Sequence, residues 1–267
     1  MALALEQVGF DDVPGDCAIY QPGFGIHRVM IGIDITGSDL ALARQLGCDC
    51  VIAHHPAGWT PDRAAVYGKH IDQLVAAGVP REEAEQIIRP RQRTIAEMAS
   101  TLNYDAVPSV ARLLAMPFLN IHNPWDELGR RRMQEAIDRR LAADPDATLS
   151  DVVEALLGFP EFQIAATRPQ IRVGEPHARA GRTVVSHGAY TNGGYAVAAA
   201  YFRCGVETLV TIHFPPEDDV RLRSEGLGQH IVSGHIVSDS VGITPFINAL
   251  RRRGVEVMPM SGVLCQD

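Results

Sequence analysis

The stretch "VMIGIDITGSDLALARQLGCDCVIAHHP", Val29 to Pro56, decides the fold. Its opening, "VMIGIDI", is apolar and rich in β-branched residues, the composition of a buried strand. Thr36 and Asp39 then have the spacing of a helix-capping pair, Leu40, Ala43 and Leu46 fall on one helical face, and Gly47 is placed to end the helix. A second apolar run, "CVIA", follows. Strand, helix and strand within about 25 residues make a βαβ unit, which implies a parallel pair with its site at the strands' C-terminal ends. The stretch closes on two adjacent histidines, His54 and His55. In a continuing strand their rings would point to opposite faces. They reach one space only if the strand ends at Ala53 or His54 and the chain turns at Pro56 and Gly58. Otherwise one ring sits in the core and the other in water.

Outward from this unit the pattern continues. Residues 61–103 read as polar and helical, broken or kinked at Pro90. "FLNI", Phe118 to Ile121, is a short strand, followed by a polar turn carrying His122 and Asp126 and then by an amphipathic helix. "AADPDATLSD" reads as a linker, with Thr148 and Asp151 capping a short helix that stops near Gly158. The last third repeats the opening logic. "RTVVSHG" is a strand, "AYTNGGYAVAAAYFRCG" a glycine turn into a helix, and "VETLVTIH" a strand ending on His213. "QHIVSGHIVSD" places His235 and Asp239 just past another strand, before a final helix and the strand "VEVMPM". The expected fold is α/β: two similar lobes with mixed, largely parallel sheets flanked by helices. The chain reads as one compact unit, with a first half at 1–125, connecting helices and linker at 126–178, and a second half at 179–267.

The composition of the 267 residues, 46% hydrophobic and 21% charged, is that of an ordinary globular protein. A formal net charge of -8 argues against nucleic acid or an anionic membrane as partner, and the basic runs "GRRRM" and "LRRRGVE" read as solvated helix faces. No run approaches the roughly 20 apolar residues that span a bilayer, and the start has no basic leader, so a cytoplasmic protein is expected. Five cysteines without a C-x-x-C pair suggest neither a disulfide framework nor a cysteine-rich zinc site.

The chemistry-bearing residues share a position. His54, His55, His122, Asp126, His213, His235 and Asp239 each lie just past an apolar strand, where a parallel sheet gathers its site. Imidazole and carboxylate are ligands for zinc, manganese or iron. At i, i+4 on a helix, His235 and Asp239 share one face. Several such ligands with two carboxylates can hold two metals, a geometry suited to hydrolysis. His187, in "SHGAYTNGGYAV", is a candidate contact either to a metal ligand or to substrate, while the glycines there lack the Walker lysine and the dinucleotide spacing and read as tight turning. Asp34 reads as a cap or turn residue, and His27, His70, His177 and His230 as surface or satisfied interior histidines. Without G-x-S-x-G or H-E-x-x-H, serine-hydrolase and zincin readings fall away.

Taken in order, "DCVIAHHP", "HNPWD" and "GHIVSDSVGI" resemble the NGG-interacting-factor-three-like family, also known as GTP cyclohydrolase I type 2-like dinuclear metal-binding proteins. The resemblance runs from about Val29 to Val263. It implies a site between the lobes with two divalent metal ions, held by His54, His55, Asp126, His235 and Asp239. It also implies a homo-oligomer, a ring-shaped hexamer built from dimers; longer members insert an extra domain between the halves, and this chain reads as too short for that insert. The expected activity is a metal-dependent hydrolase acting on a small or nucleotide-like substrate, with His213 or His187 moving protons. The alternative is a non-catalytic metal carrier or regulatory scaffold. Asp239 stands where the family usually has glutamate, Asn123-Pro124 replaces the usual threonine-containing turn, and Thr211-Ile212-His213 stands for Thr-Gly-Glu.

Overall fold

The computed structural model describes residues 1–266. The βαβ unit forms as the pattern predicts. Strands β1 (Ala18–Gln21), β2 (Arg28–Gly32), β3 (Cys50–Ala53) and β4 (Phe118–Asn120) belong to one sheet, in which β2, β3 and β4 run parallel and β1 pairs antiparallel with β4. Between β2 and β3 the helix Gly37–Gln45 starts on a reciprocal capping box and buries Leu40 and Ala43. In that box the Asp39 amide donates to the Thr36 hydroxyl and the Thr36 amide donates to the Asp39 carboxylate.

The second sheet repeats the plan. β5 (Gln170–Val173), β6 (Thr183–Ser186), β7 (Thr208–Thr211) and β8 (Gln229–Val232) stand in the order β5-β8-β7-β6, matching β1-β4-β3-β2, again with one antiparallel edge strand. The last strand, β9 (Glu256–Met260), does not join this second sheet. It pairs parallel with β2 and extends the first, so the final strand of the second half of the sequence closes the first lobe.

Two helices hold the lobes together. Asn123–Ala143, which follows β4, and His235–Arg251, which follows β8, pack where glycine permits close approach: a Cβ on Gly242 would stand 2.0 Å from the Trp125 carbonyl oxygen. The first of these also ties off the open edge of β6. The Val185 amide donates to the Gln134 side-chain oxygen at 2.7 Å, and the Gln134 side-chain nitrogen donates to the Thr183 carbonyl at 3.0 Å.

Two local expectations change. The polar turn expected around His122 is absent: Pro124, whose missing N–H is harmless in a first turn, lets the helix begin at Asn123, directly behind His122. Helix Arg81–Met98 runs through Pro90 without a break, because Ala84 and Ile88 before the proline and Ile95 after it are all buried against the protein. That helix belongs by sequence to the first half, yet its core partners lie in the second lobe. Tyr67, Leu74 and Ile88 share a hydrophobic cluster with Tyr201 and Leu209. Among the described residues no helix is long and apolar enough to cross a membrane.

Candidate metal centre

β3 ends at Ala53, and the next two amides still bond to the neighbouring strand's end, His54 N to Gly32 O and His55 N to Ile33 O. The strand conformation relaxes after that, and the two rings end 5.0 Å apart, tilted by 35°, in one cluster. The parallel strand β4 delivers His122 and, one helical turn on, Asp126. From the second lobe the helix start after β8 delivers His235 and Asp239, again one turn apart. Three overlapping groups, each with its ligand atoms within 4.8 Å of one another, result: His54, His55 and His122; His55, His235 and Asp239; His54, Asp126 and Asp239.

The orientation of the rings is fixed from behind. His54 Nδ1 meets the Ile121 carbonyl at 3.1 Å, His55 Nδ1 meets Asp34 Oδ1 at 2.8 Å, and His122 Nδ1 meets buried Asp16 Oδ2 at 2.7 Å. Each acceptor takes a proton on Nδ1 and leaves Nε2 as the nitrogen facing the cluster, the arrangement by which metal-binding histidines are held in one tautomer. Asp34, which reads in the sequence as a cap, is thus the orienting partner of His55.

What the rings face is a set of buried polar atoms with no hydrogen-bond partner: His54 Nε2, His187 Nε2, Asp126 Oδ1 and both oxygens of Asp239. His54 Nε2 lies 3.0 Å from Asp126 Oδ1, close enough for attraction but misaligned for a hydrogen bond, so both atoms stay unsatisfied. Asp239 Oδ2 lies 3.3 Å from His235, 3.7 Å from His54 and 3.8 Å from His55. The shorter carboxylate therefore still reaches three imidazoles. Buried polar groups are normally satisfied, and here several unpartnered donors and acceptors converge on one point. Neutral imidazoles and two carboxylates are the donor set that divalent zinc, manganese or iron accepts, so these residues could hold a metal ion.

The electrostatics agree. Burial alone would push the His54 imidazole down, but the Asp239 and Asp126 carboxylates overcome it and hold His54 well above its ordinary range. Burial likewise opposes ionisation of Asp126, yet His122, His187 and His54 keep it below the usual carboxylate range. The same centre depresses other rings: burial, reinforced by His54, lowers His55, and burial lowers His187. A proton held between two buried carboxylates is what an arriving divalent ion displaces.

The other candidates fall at the rim. His187 sits 3.6 Å from Asp126 Oδ1 and 3.9 Å from Asp239 Oδ1. His213 lies outside the three groups of metal-competent atoms, although its ring is 4.7 Å from that of His235. Its Nδ1 accepts from the Asn192 side chain at 2.8 Å, and burial with the neighbouring His235 lowers it to about 4, so it is neutral at pH 7. The residue missing from the expected ligand set is His122. Its signal was present, since His122-x-x-x-Asp126 has the spacing of His235-x-x-x-Asp239. His230 belongs elsewhere, buried between Asp219 and Thr211.

Fold and site together define a class: a two-lobed α/β protein with a buried histidine and aspartate cluster where strand ends of both lobes meet. The family model for Duf34/NIF3 (NGG1p interacting factor 3) matches residues 21–262, and the chain belongs to that family. A solved NIF3 superfamily protein from Sphaerobacter thermophilus is 48% identical, with a TM-score of 0.95 over 98% of this chain and 96% of that one. Two further structures share the fold alone. Reduced HcgD from Methanocaldococcus jannaschii is 12% identical with a TM-score of 0.59, covering 97% of this chain and 94% of its own. A hypothetical protein from Staphylococcus aureus is 13% identical with a TM-score of 0.53 over the same shares. No curated protein matches the chain.

Proposed function

We propose that this protein binds two divalent metal ions and acts as a metal-dependent hydrolase on a small molecule. The ligands in this reading are His54, His55, Asp126, His235 and Asp239, joined by His122. The observation that supports it above all is the set of orphaned buried atoms on His54, His187, Asp126 and Asp239, gathered at one point. When bound, a divalent pair supplies Lewis acidity and makes water acidic enough to attack at neutral pH.

The chain's own residues do the rest. Asp16, Asp34 and the Ile121 carbonyl hold three imidazoles in the ligating tautomer. His213, neutral and anchored through Nδ1 by Asn192, carries its proton on Nε2 and is placed to pass one at the rim, and His187 is placed to contact substrate. The cavity beside the cluster measures about 390 Å³, room for a small molecule. In keeping with the sequence reading, we propose a cytoplasmic protein that forms a ring-shaped hexamer built from dimers, each chain one unit with halves at 1–125 and 179–267 joined by 126–178.

The test is metal analysis of the purified protein, followed by a turnover screen against phosphoesters, nucleotides and cyclic amides. The parent should retain divalent metal at neutral pH and turn over at least one class. His54→Ala should lose both, and His213→Ala should keep its metal while turnover falls roughly 100-fold. A folded parent that retains no divalent metal overturns the reading, and metal without turnover on any class leaves a carrier or scaffold.

A further inference from the structure

The cavity that exposes the histidine and aspartate cluster is also lined by Arg63 and Arg91. Both belong to the helical segment 61–103, which packs against the second lobe and so forms a wall over a site built by the strands. Arg81 and Arg89, on the same helix as Arg91, pair with Asp72 and Glu85. Arg63 and Arg91 pair with no carboxylate among the described residues. Arg63 is pinned instead by neutral acceptors: Nε donates to the Thr60 hydroxyl at 2.7 Å and Nη2 to the Gly58 carbonyl at 2.5 Å, which leaves Nη1 for a ligand.

Two uncompensated guanidiniums beside a divalent metal site repel it unless an anion shares the space. The guanidinium fork matches phosphate oxygens in geometry, and a phosphate dianion answers two cations where a single carboxylate charge does not. The same cavity holds Tyr190 at a φ of 70°, a conformation that a bulky residue adopts only when its surroundings impose it. Its ring stands edge-on to His122 at 5.8 Å and offers an apolar face for an organic body.

We propose that Arg63 and Arg91 form an anion subsite that recognises a phosphate group on the small-molecule substrate, with the histidine and aspartate cluster facing another part of that molecule. This rests on the hydrolase reading above and names the substrate class for that site: a small organic phosphate.

The experiment is calorimetric titration of parent, Arg91→Ala, Arg91→Lys, Arg91→Glu and Arg63→Ala with inorganic phosphate, phenyl phosphate and benzoate, in metal-loaded and metal-stripped protein, with metal content measured for each. Arg91 is exposed and has no intramolecular ion pair, so its variants should fold even if Arg63→Ala, which releases the turn at Gly58, does not. The expected result is a phosphate Kd raised about tenfold in Arg91→Ala and further in Arg91→Glu, largely rescued in Arg91→Lys, at unchanged metal content. Phosphate affinity within about twofold of the parent in Arg91→Glu overturns the subsite. Benzoate binding more tightly than both phosphates overturns the phosphate assignment. If the parent holds no metal, the hydrolase reading fails by itself, and the metal-stripped titration still decides the role of the arginines.

Discussion

The two lobes share a strand order and differ in how they furnish the site. After β4 and after β8 each starts a helix carrying a histidine at its beginning and an aspartate one turn on, His122 and Asp126 in one and His235 and Asp239 in the other. After β3 the first lobe has His54 and His55, whereas after β7 the second has Ile212 and His213. The first lobe locks its rings with Asp16, Asp34 and a carbonyl, while His213 is held by an amide and the His235 side chain is 41% exposed. A common backbone frame thus yields a preorganised half and a more open one. Placement comes from topology and rigidity from local partners.

The largest effect that probes this contrast concerns the join. His70, from the first half, is buried and contacts the Thr191 carbonyl of the second lobe through Nε2 at 2.8 Å, and burial lowers it to about 4. The folded protein keeps this ring neutral while the unfolded chain protonates it near 6.5. Its stabilisation is therefore complete above about pH 6.5 and lost as pH falls towards 4, a cost of about 3 kcal/mol. Denaturant titrations of parent and His70→Gln should show a shallower acid limb in the variant, and parallel limbs would dissociate this ring from the join.

Next comes the asymmetry of the orienting groups. Asp16→Asn should weaken divalent metal binding roughly 10- to 100-fold by freeing His122, whereas Asn192→Ala, behind His213, should leave metal affinity unchanged. Equal losses by calorimetry would erase the distinction between a locked and an open half. The smallest effect tests the crossing of the two ligand-bearing helices. Gly242→Ala should cost about 1–3 kcal/mol in chemical denaturation through overpacking against Trp125. Gly129→Ala, whose Cβ would stand 3.1 Å from the Ser238 carbonyl, should cost less.

Much of this architecture was legible in the residues. The βαβ unit, the capping boxes at Thr36 and Thr148, and the habit of placing histidines and aspartates just past apolar strands are local patterns, and the structure carries them. The ligand candidates of both lobes follow from that habit. His122 shares the strand-end position and the His-x-x-x-Asp spacing, but the partner that orients its ring, Asp16, lies 106 residues away in the chain. Arg63 and Arg91 look like ordinary charges on a polar helical segment, since nothing in their spacing tells which cavity they line.

Sequence alone settled what can be decided within a turn or a strand: where helices begin, which runs are buried, and which histidines and aspartates sit at strand ends. The tertiary structure decided what depends on contacts between distant segments. It sent β9 back to the first sheet, laid the first half's helical segment on the second lobe's core, and brought Asp126 and Asp239 to one buried imidazole. The physical reason is that propensity, capping and periodicity act between near neighbours in the chain. Which of several compatible apolar faces meet is set by packing over the whole molecule, and that leaves no period to read.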